Sequence, residues 1–250
     1  MATTKKFLAF SCTHHPLQDD SAIDWMLGKI DEYKPDVVVH LGDGHEAASA
    51  SKWPTEFDFD LKDEYAAHNQ FLADIRSVSG KAELVMMEGN HDDNIRAVGR
   101  IDKQFRPMLT PEQWEPELKH WKVYPYVYSS RGVHSLGNVH FFHGYECNQS
   151  SDKFQTVLLG KPYGLGVSGH THRPKHVEQV HMTQAVPLPY WFANAGCMRT
   201  MDCDYMERKR QHQWGQAVVV GESQITKSPR MNRTWSAHTE VFRMYSELYD

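Results

Sequence analysis

Cysteine is scarce in this chain: Cys12, Cys147, Cys197 and Cys203 are the four among 250 residues, and none forms a C-x-x-C pair. That spacing excludes a disulfide framework and a knuckle of paired cysteines, and leaves free thiols. Apolar runs long enough for a bilayer are missing too, so no membrane partner is expected. Met1-Ala2-Thr3-Thr4-Lys5-Lys6 leads straight into Phe7-Leu8-Ala9-Phe10, too short an apolar core for a secretory leader. The expected compartment is the cytoplasm. Nor is there a surplus of positive charge. The formal net charge of −5 disfavours bulk capture of long nucleic acid, although the segment from Lys227 to Arg233 is locally basic.

What the chain has in quantity is histidine, 16 residues. Imidazole is a common metal ligand and also an ordinary surface group, so position must decide its meaning. With 40% hydrophobic and 24% charged residues, 1–250 is expected to be a single domain, with a helical insertion near 93–121. Residues 6 to 11 read as a strand. A helix over residues 21 to 33 follows, capped by Asp19, Asp20 and Ser21 and carrying Ile23, Met26, Leu27 and Ile30 at helical spacing. A β-branched strand over 36 to 41, a helix over 61 to 78 and an apolar strand over 84 to 87 continue the alternation. Such buried strands separated by helices predict an α/β fold with a mixed or parallel sheet. Later segments read as short strands at 123–129, 131–135, 139–142 and 164–168, a helix near 150–159, and strands to the end. Tyr124, Tyr126 and Tyr128 alternate as a half-buried strand would.

The strands stop at chemistry-bearing residues. Cys12 and His14 follow the first, and Asp43 follows the second in Gly42-Asp43-Gly44-His45-Glu46. Asn90, His91 and Asp92 follow the third in Glu88-Gly89-Asn90-His91-Asp92. His143 and then His170 with His172 follow later ones. In a parallel-type sheet the carboxyl ends share one edge, so residues far apart in sequence converge there. A carboxylate, a neutral amide oxygen and several imidazoles in one place are the donors of a divalent metal site. The other histidines match no ligand position and read as surface or core residues, and Cys147, Cys197 and Cys203 as core thiols.

The ordered set resembles the calcineurin-like metallophosphoesterase superfamily, whose pattern is D-x-H, G-D, G-N-H-D/E, H and G-H-x-H. The resemblance covers residues 6 to 172, with a looser echo in Asn194-Ala195-Gly196-Cys197. It implies a four-layered α/β/β/α sandwich of two mixed sheets flanked by helices, and a centre of two divalent metals (manganese, zinc, iron or nickel). It assigns His14 and His172 to the first metal, Asp43 to a bridge, and Asn90, His143 and His170 to the second. His91 would protonate the leaving group, oriented by Asp92, while a bridging water deprotonated by the metals attacks phosphorus. Cys12 stands where the pattern has aspartate: either its thiolate ligates the first metal, favouring zinc or iron, or the thiol stays protonated and that site is weakened.

The implied activity is hydrolysis of a phosphate mono- or diester. The longer G-D-x-x-D-R-G motif of protein Ser/Thr phosphatases is absent from Gly42-Asp43-Gly44-His45-Glu46-Ala47-Ala48, which lowers that branch. A nuclease or nucleic-acid phosphodiesterase is the alternative, and a metal-binding scaffold disabled through Cys12 is another. His45 and Arg173 are candidate substrate contacts.

Overall fold

The computed structural model describes residues 2–52, 59–101, 103–104, 106–137, 139–147, 164–183, 186–201, 213–226 and 236–244. Strand and helix alternate through β1 (Ala2–Phe10), α1 (Asp20–Tyr33), β2 (Val37–His40), α2 (Leu61–Val78), β3 (Glu83–Met87) and α3 (Asn90–Ile101). Short helical pieces including α4 (Pro111–Trp114) lead to β4 (Lys122–Tyr124). Then come β5 (His134–Leu136), β6 (Val139–Phe141), β7 (Gly164–Ser168), β8 (Lys175–Thr183), β9 (Val186–Asn194), β10 (Ala217–Thr226) and β11 (Ser236–Arg243). The starts of α1 and α2 are fastened by side chains: Asp19 accepts from the Ala22 amide and Asp60 from the Lys62 amide.

Both sheets are mixed. One runs β11-β10-β1-β2-β3-β4, with β1 to β4 parallel and β10 and β11 antiparallel; the other runs β5-β6-β7-β9-β8, with β6, β7 and β9 parallel. Every strand of the first sheet's centre is apolar on both faces, which explains the continuous hydrophobic runs. Leu8, Phe10, Val38, Leu84 and Met86 pack against Met26 and Ile30 of α1 and Phe71, Leu72 and Ile75 of α2. Phe7, Ala9, Val37, Val39, Val85 and Met87 turn the other way and meet Val139, Phe141, Val167 and Ala193 of the second sheet. Helices thus cover the first sheet and the two sheets bury a common core. The helix expected near 150–159 lies outside the described residues.

Three local expectations change. Regular pairing of β4 ends at Tyr124, before Pro125, so Tyr126 and Tyr128 leave the sheet. Ser130–Gly132 form a helical turn, and the next strand begins only at His134. Asn90, His91 and Asp92 form the first turn of α3 rather than a loop ahead of it.

Phe141 is wholly buried and meets Phe7 edge to face, with ring centroids 5.1 Å apart. Phe141→Ala should therefore cost about 3–5 kcal/mol of stability, measured by urea unfolding. A loss below about 1 kcal/mol would contradict this view of the inter-sheet core.

Candidate metal centre

The parallel strands deliver their following turns to one edge, and those turns are laced together by the backbone. The Cys12 amide donates to the Gly42 carbonyl at 2.9 Å, His14 to the Asp43 carbonyl at 3.0 Å, and Gly169 to the His143 carbonyl at 2.9 Å. Gly89 is required by close approach: a Cβ there would lie 2.1 Å from Asp43 Oδ1. Five of the seven expected ligands adopt left-handed backbone, Cys12, His14, Asp43, His170 and His172, with φ between 50° and 65°. For non-glycine residues that conformation is disfavoured, and its clustering in one place marks side chains held in position for a purpose.

Two donor groups result, and they share a residue. Cys12, His14, Asp43 and His172 form one; Asp43, His143 and His170 form the other. His14 Nε2 and His172 Nε2 stand 3.2 Å apart. Asp43 Oδ2 is 3.1 Å from His143 Nε2 and 3.8 Å from His14 Nε2, while Oδ1 accepts from the His91 amide at 2.9 Å. Asn90 Oδ1 and His170 Nδ1 each lie 3.2 Å from His143 Nε2. All seven expected ligands are therefore brought together.

The chemistry of this donor set fits a cation. His143 Nδ1 donates to the Leu41 carbonyl at 2.7 Å, so in the neutral ring Nε2 carries a lone pair facing the oxygens of Asn90 and Asp43. Lone pairs facing one another this closely call for a proton or a metal between them. Burial would push the His143 imidazole down, but Asp43 outweighs it and holds it above its ordinary value. Burial and the neighbouring His143 lower His170 to about 3, and burial with His14 holds His172 well below the usual range. These two rings stay neutral and keep their lone pairs. Without a metal, burial and Asp43 push the Cys12 thiol up; its Sγ accepts from the His170 amide at 3.3 Å.

Several partners differ from expectation. Asp92 does not orient His91. From the first turn of α3 its carboxylate points back at the β2 turn, accepting from the amides of Asp43, Gly44, His45 and Gly89 at 2.7–3.2 Å. His91 Nδ1 instead donates to the Glu46 carbonyl at 2.6 Å. His45 does not face a substrate cleft: it is 1% exposed, with Nδ1 2.8 Å from Asp92 and Nε2 3.0 Å from Glu115. Arg173 is partly buried beside His172, and its Nε has no hydrogen-bond partner among the described residues. Cys197 is a core thiol as expected; Cys147 is exposed, with its sulfur 3.1 Å from His170 Nε2. Cys203 lies outside the described residues.

From the sequence, Glu46 is expected only to line the pocket after Asp43, and Arg199 has no role. Glu46 Oε2 sits 2.8 Å from His14 Nδ1 and 3.3 Å from Arg199 Nη1, so a buried carboxylate backs the ring opposite its donor nitrogen. Asn194 donates to the Gly169 carbonyl at 2.6 Å and accepts from Gly196, bracing the turn that carries His170.

Residues 6–203 match the calcineurin-like phosphoesterase superfamily domain. The chain belongs to that superfamily. Over 94 residues it is 34% identical to the gene 54 protein of Mycobacterium phage D29, and over 111 residues 32% identical to the gene 54 protein of Mycobacterium phage L5. These matches cover 36% and 42% of this chain and the same shares of the two phage proteins, well under half of their length. Among solved structures, the phosphoesterase Yfce from E. coli is 16% identical, with a TM-score of 0.39 over 86% of this chain and 91% of that one. No helix among the described residues is long and apolar enough to cross a membrane.

The Asp92 carboxylate gathers four backbone amides and the His45 ring. Burial opposes its charge, yet His45 and the amides win and hold it well below the usual carboxylate range. A depressed folded-state value adds stability that is full above the unfolded value, about 3.9, and is lost as pH falls below it. Asp92→Asn should cost about 2 kcal/mol at neutral pH, with the deficit shrinking below about pH 4. Urea unfolding across pH checks this; a deficit that stays constant or grows on acidification would contradict it.

Proposed function

We propose that this phosphoesterase is a metal-dependent phosphohydrolase with a binuclear centre, cleaving a phosphate mono- or diester. The sharing of Asp43 between two donor groups carries the reading. Cys12, His14, Asp43 and His172 would hold one divalent cation, and Asp43, Asn90, His143 and His170 the other. When bound, the pair would offset phosphate charge and make water nucleophilic at neutral pH. Asp43 supplies the anion between them, and the neutral imidazoles leave net positive charge for the substrate. The thiol of Cys12 and the nitrogen-rich donors favour zinc or iron over manganese or magnesium.

His91 is the proposed general acid. Its Nδ1 proton is committed to the Glu46 carbonyl, and Nε2 has no hydrogen-bond partner among the described residues. Protonated there, it donates to the leaving-group oxygen; its amide fixes Asp43 at the same time. Asp92 acts at one remove, holding the Asp43 turn against α3. Arg173 offers its guanidinium to a phosphoryl oxygen.

One observation favours a nucleic-acid diester among the possible substrates. Tyr126 packs against His143 at 5.8 Å and stacks on Tyr145 at 4.9 Å, and the exposed Tyr128 meets Tyr145 edge to face. Aromatic faces beside a phosphate site suit stacked bases.

Bis(4-nitrophenyl) phosphate, 4-nitrophenyl phosphate and single-stranded oligonucleotides, each with zinc, iron, manganese or nickel, test the activity. His91→Ala should lower kcat by about 10²–10⁴ with metal content unchanged. Loss of metal in that variant would make His91 a ligand. Wild-type protein that binds metal yet turns over none of these esters would identify a scaffold instead.

A further inference from the structure

Behind the Asp43 turn, on the side facing α2, lies a second set of donors that the phosphoesterase chemistry does not use. His45, His68 and Glu115 come from the β2 turn, from α2 and from the residue after α4, and each is at most 1% exposed. Glu115 Oε1 is 3.0 Å from His45 Nε2 and 2.5 Å from His68 Nδ1, and the two rings stand 4.4 Å apart. One carboxylate oxygen serves both imidazoles. The other, Oε2, is buried with no hydrogen-bond partner among the described residues. The fit is tight: a Cβ on Gly44 would lie 2.5 Å from His68 Nε2.

We infer that His45, His68 and Glu115 form a further, structural zinc site, separate from the Asp43 centre. Two imidazole nitrogens and the Glu115 carboxylate, bound through both oxygens as one bidentate ligand, give three protein ligands of the types zinc takes, closed off from solvent. The unpartnered Oε2 is thereby accounted for. His45 carries the support expected of a ligand, since its opposite nitrogen lies 2.8 Å from the Asp92 carboxylate. Charge agrees as well. Asp92 and Glu115 bury two carboxylates, whose charge one divalent cation would balance. Zinc bonds of about 2.0–2.1 Å set an imidazole nitrogen about 3.3 Å from a carboxylate oxygen, so the nitrogen-to-oxygen spacings of 3.0 Å and 2.5 Å need to open by under about 1 Å.

Such a site would pin α2 and the Glu115 segment to the turn that presents Asp43, with Asp92 as the link. It does not depend on the function proposed above. Metal analysis of the full chain after exhaustive dialysis against a mild chelator tests it. Wild type should keep one equivalent of zinc, Asp43→Asn should keep it too, and His68→Gln and Glu115→Gln should lose it. Zinc that disappears with Asp43→Asn but persists in Glu115→Gln would overturn the inference. Those two variants each alter a buried group, so wild-type crystals measured on both sides of the zinc absorption edge give an answer independent of their folding. A peak bounded by His45, His68 and Glu115 supports the site, and its absence from zinc-replete crystals overturns it. Failure of the Asp43 centre would look different, with the buried equivalent kept and no turnover.

Discussion

The arrangement turns on a conflict of lone pairs. His143 donates from Nδ1 to the Leu41 carbonyl, so its other nitrogen, which faces oxygens of Asn90 and Asp43, calls for a second proton or a cation between them. His14 and His172 face each other through nitrogens 3.2 Å apart across the same carboxylate. Such groups repel unless positive charge lies among them, and burial removes the water that would otherwise screen them. His14, Asp43 and His172 are nevertheless held in disfavoured left-handed backbone, an arrangement whose donors suit a cation.

That organisation comes from the sheets. Parallel strands buried on both faces cannot slide without exposing one apolar set, so their carboxyl ends are fixed relative to one another. The turns beyond them are joined amide to carbonyl, and Asp92 gathers the amides of the β2 turn and of Gly89 into one carboxylate. Glu46 and Arg199 then back His14 from behind. Precision at the centre is thus inherited from the core through rigid hydrogen-bonded turns.

The candidate ligands were legible because each follows a strand directly, often beside a glycine, and strand ends share an edge. Partner choices were not. Whether Asp92 turns toward His91 or toward the Asp43 turn depends on where α3 starts, and Asn90 opens the helix two residues away from it. Glu115 carries no local signal, since its partners lie 70 and 47 positions away. His68 did leave a trace: it shares helical spacing with Tyr65, Leu72 and Ile75, so the apolar face of α2 buries it. Cys147 looked like a core thiol from composition alone, and only the turn after β6 brings it out beside His170.

The shared carboxylate is open to a direct spectroscopic test. Protein loaded with two equivalents of manganese should give the electron paramagnetic resonance spectrum of an exchange-coupled pair, and Asp43→Asn should convert it to that of isolated ions. A fully loaded wild-type protein showing only isolated manganese would contradict a centre built around Asp43.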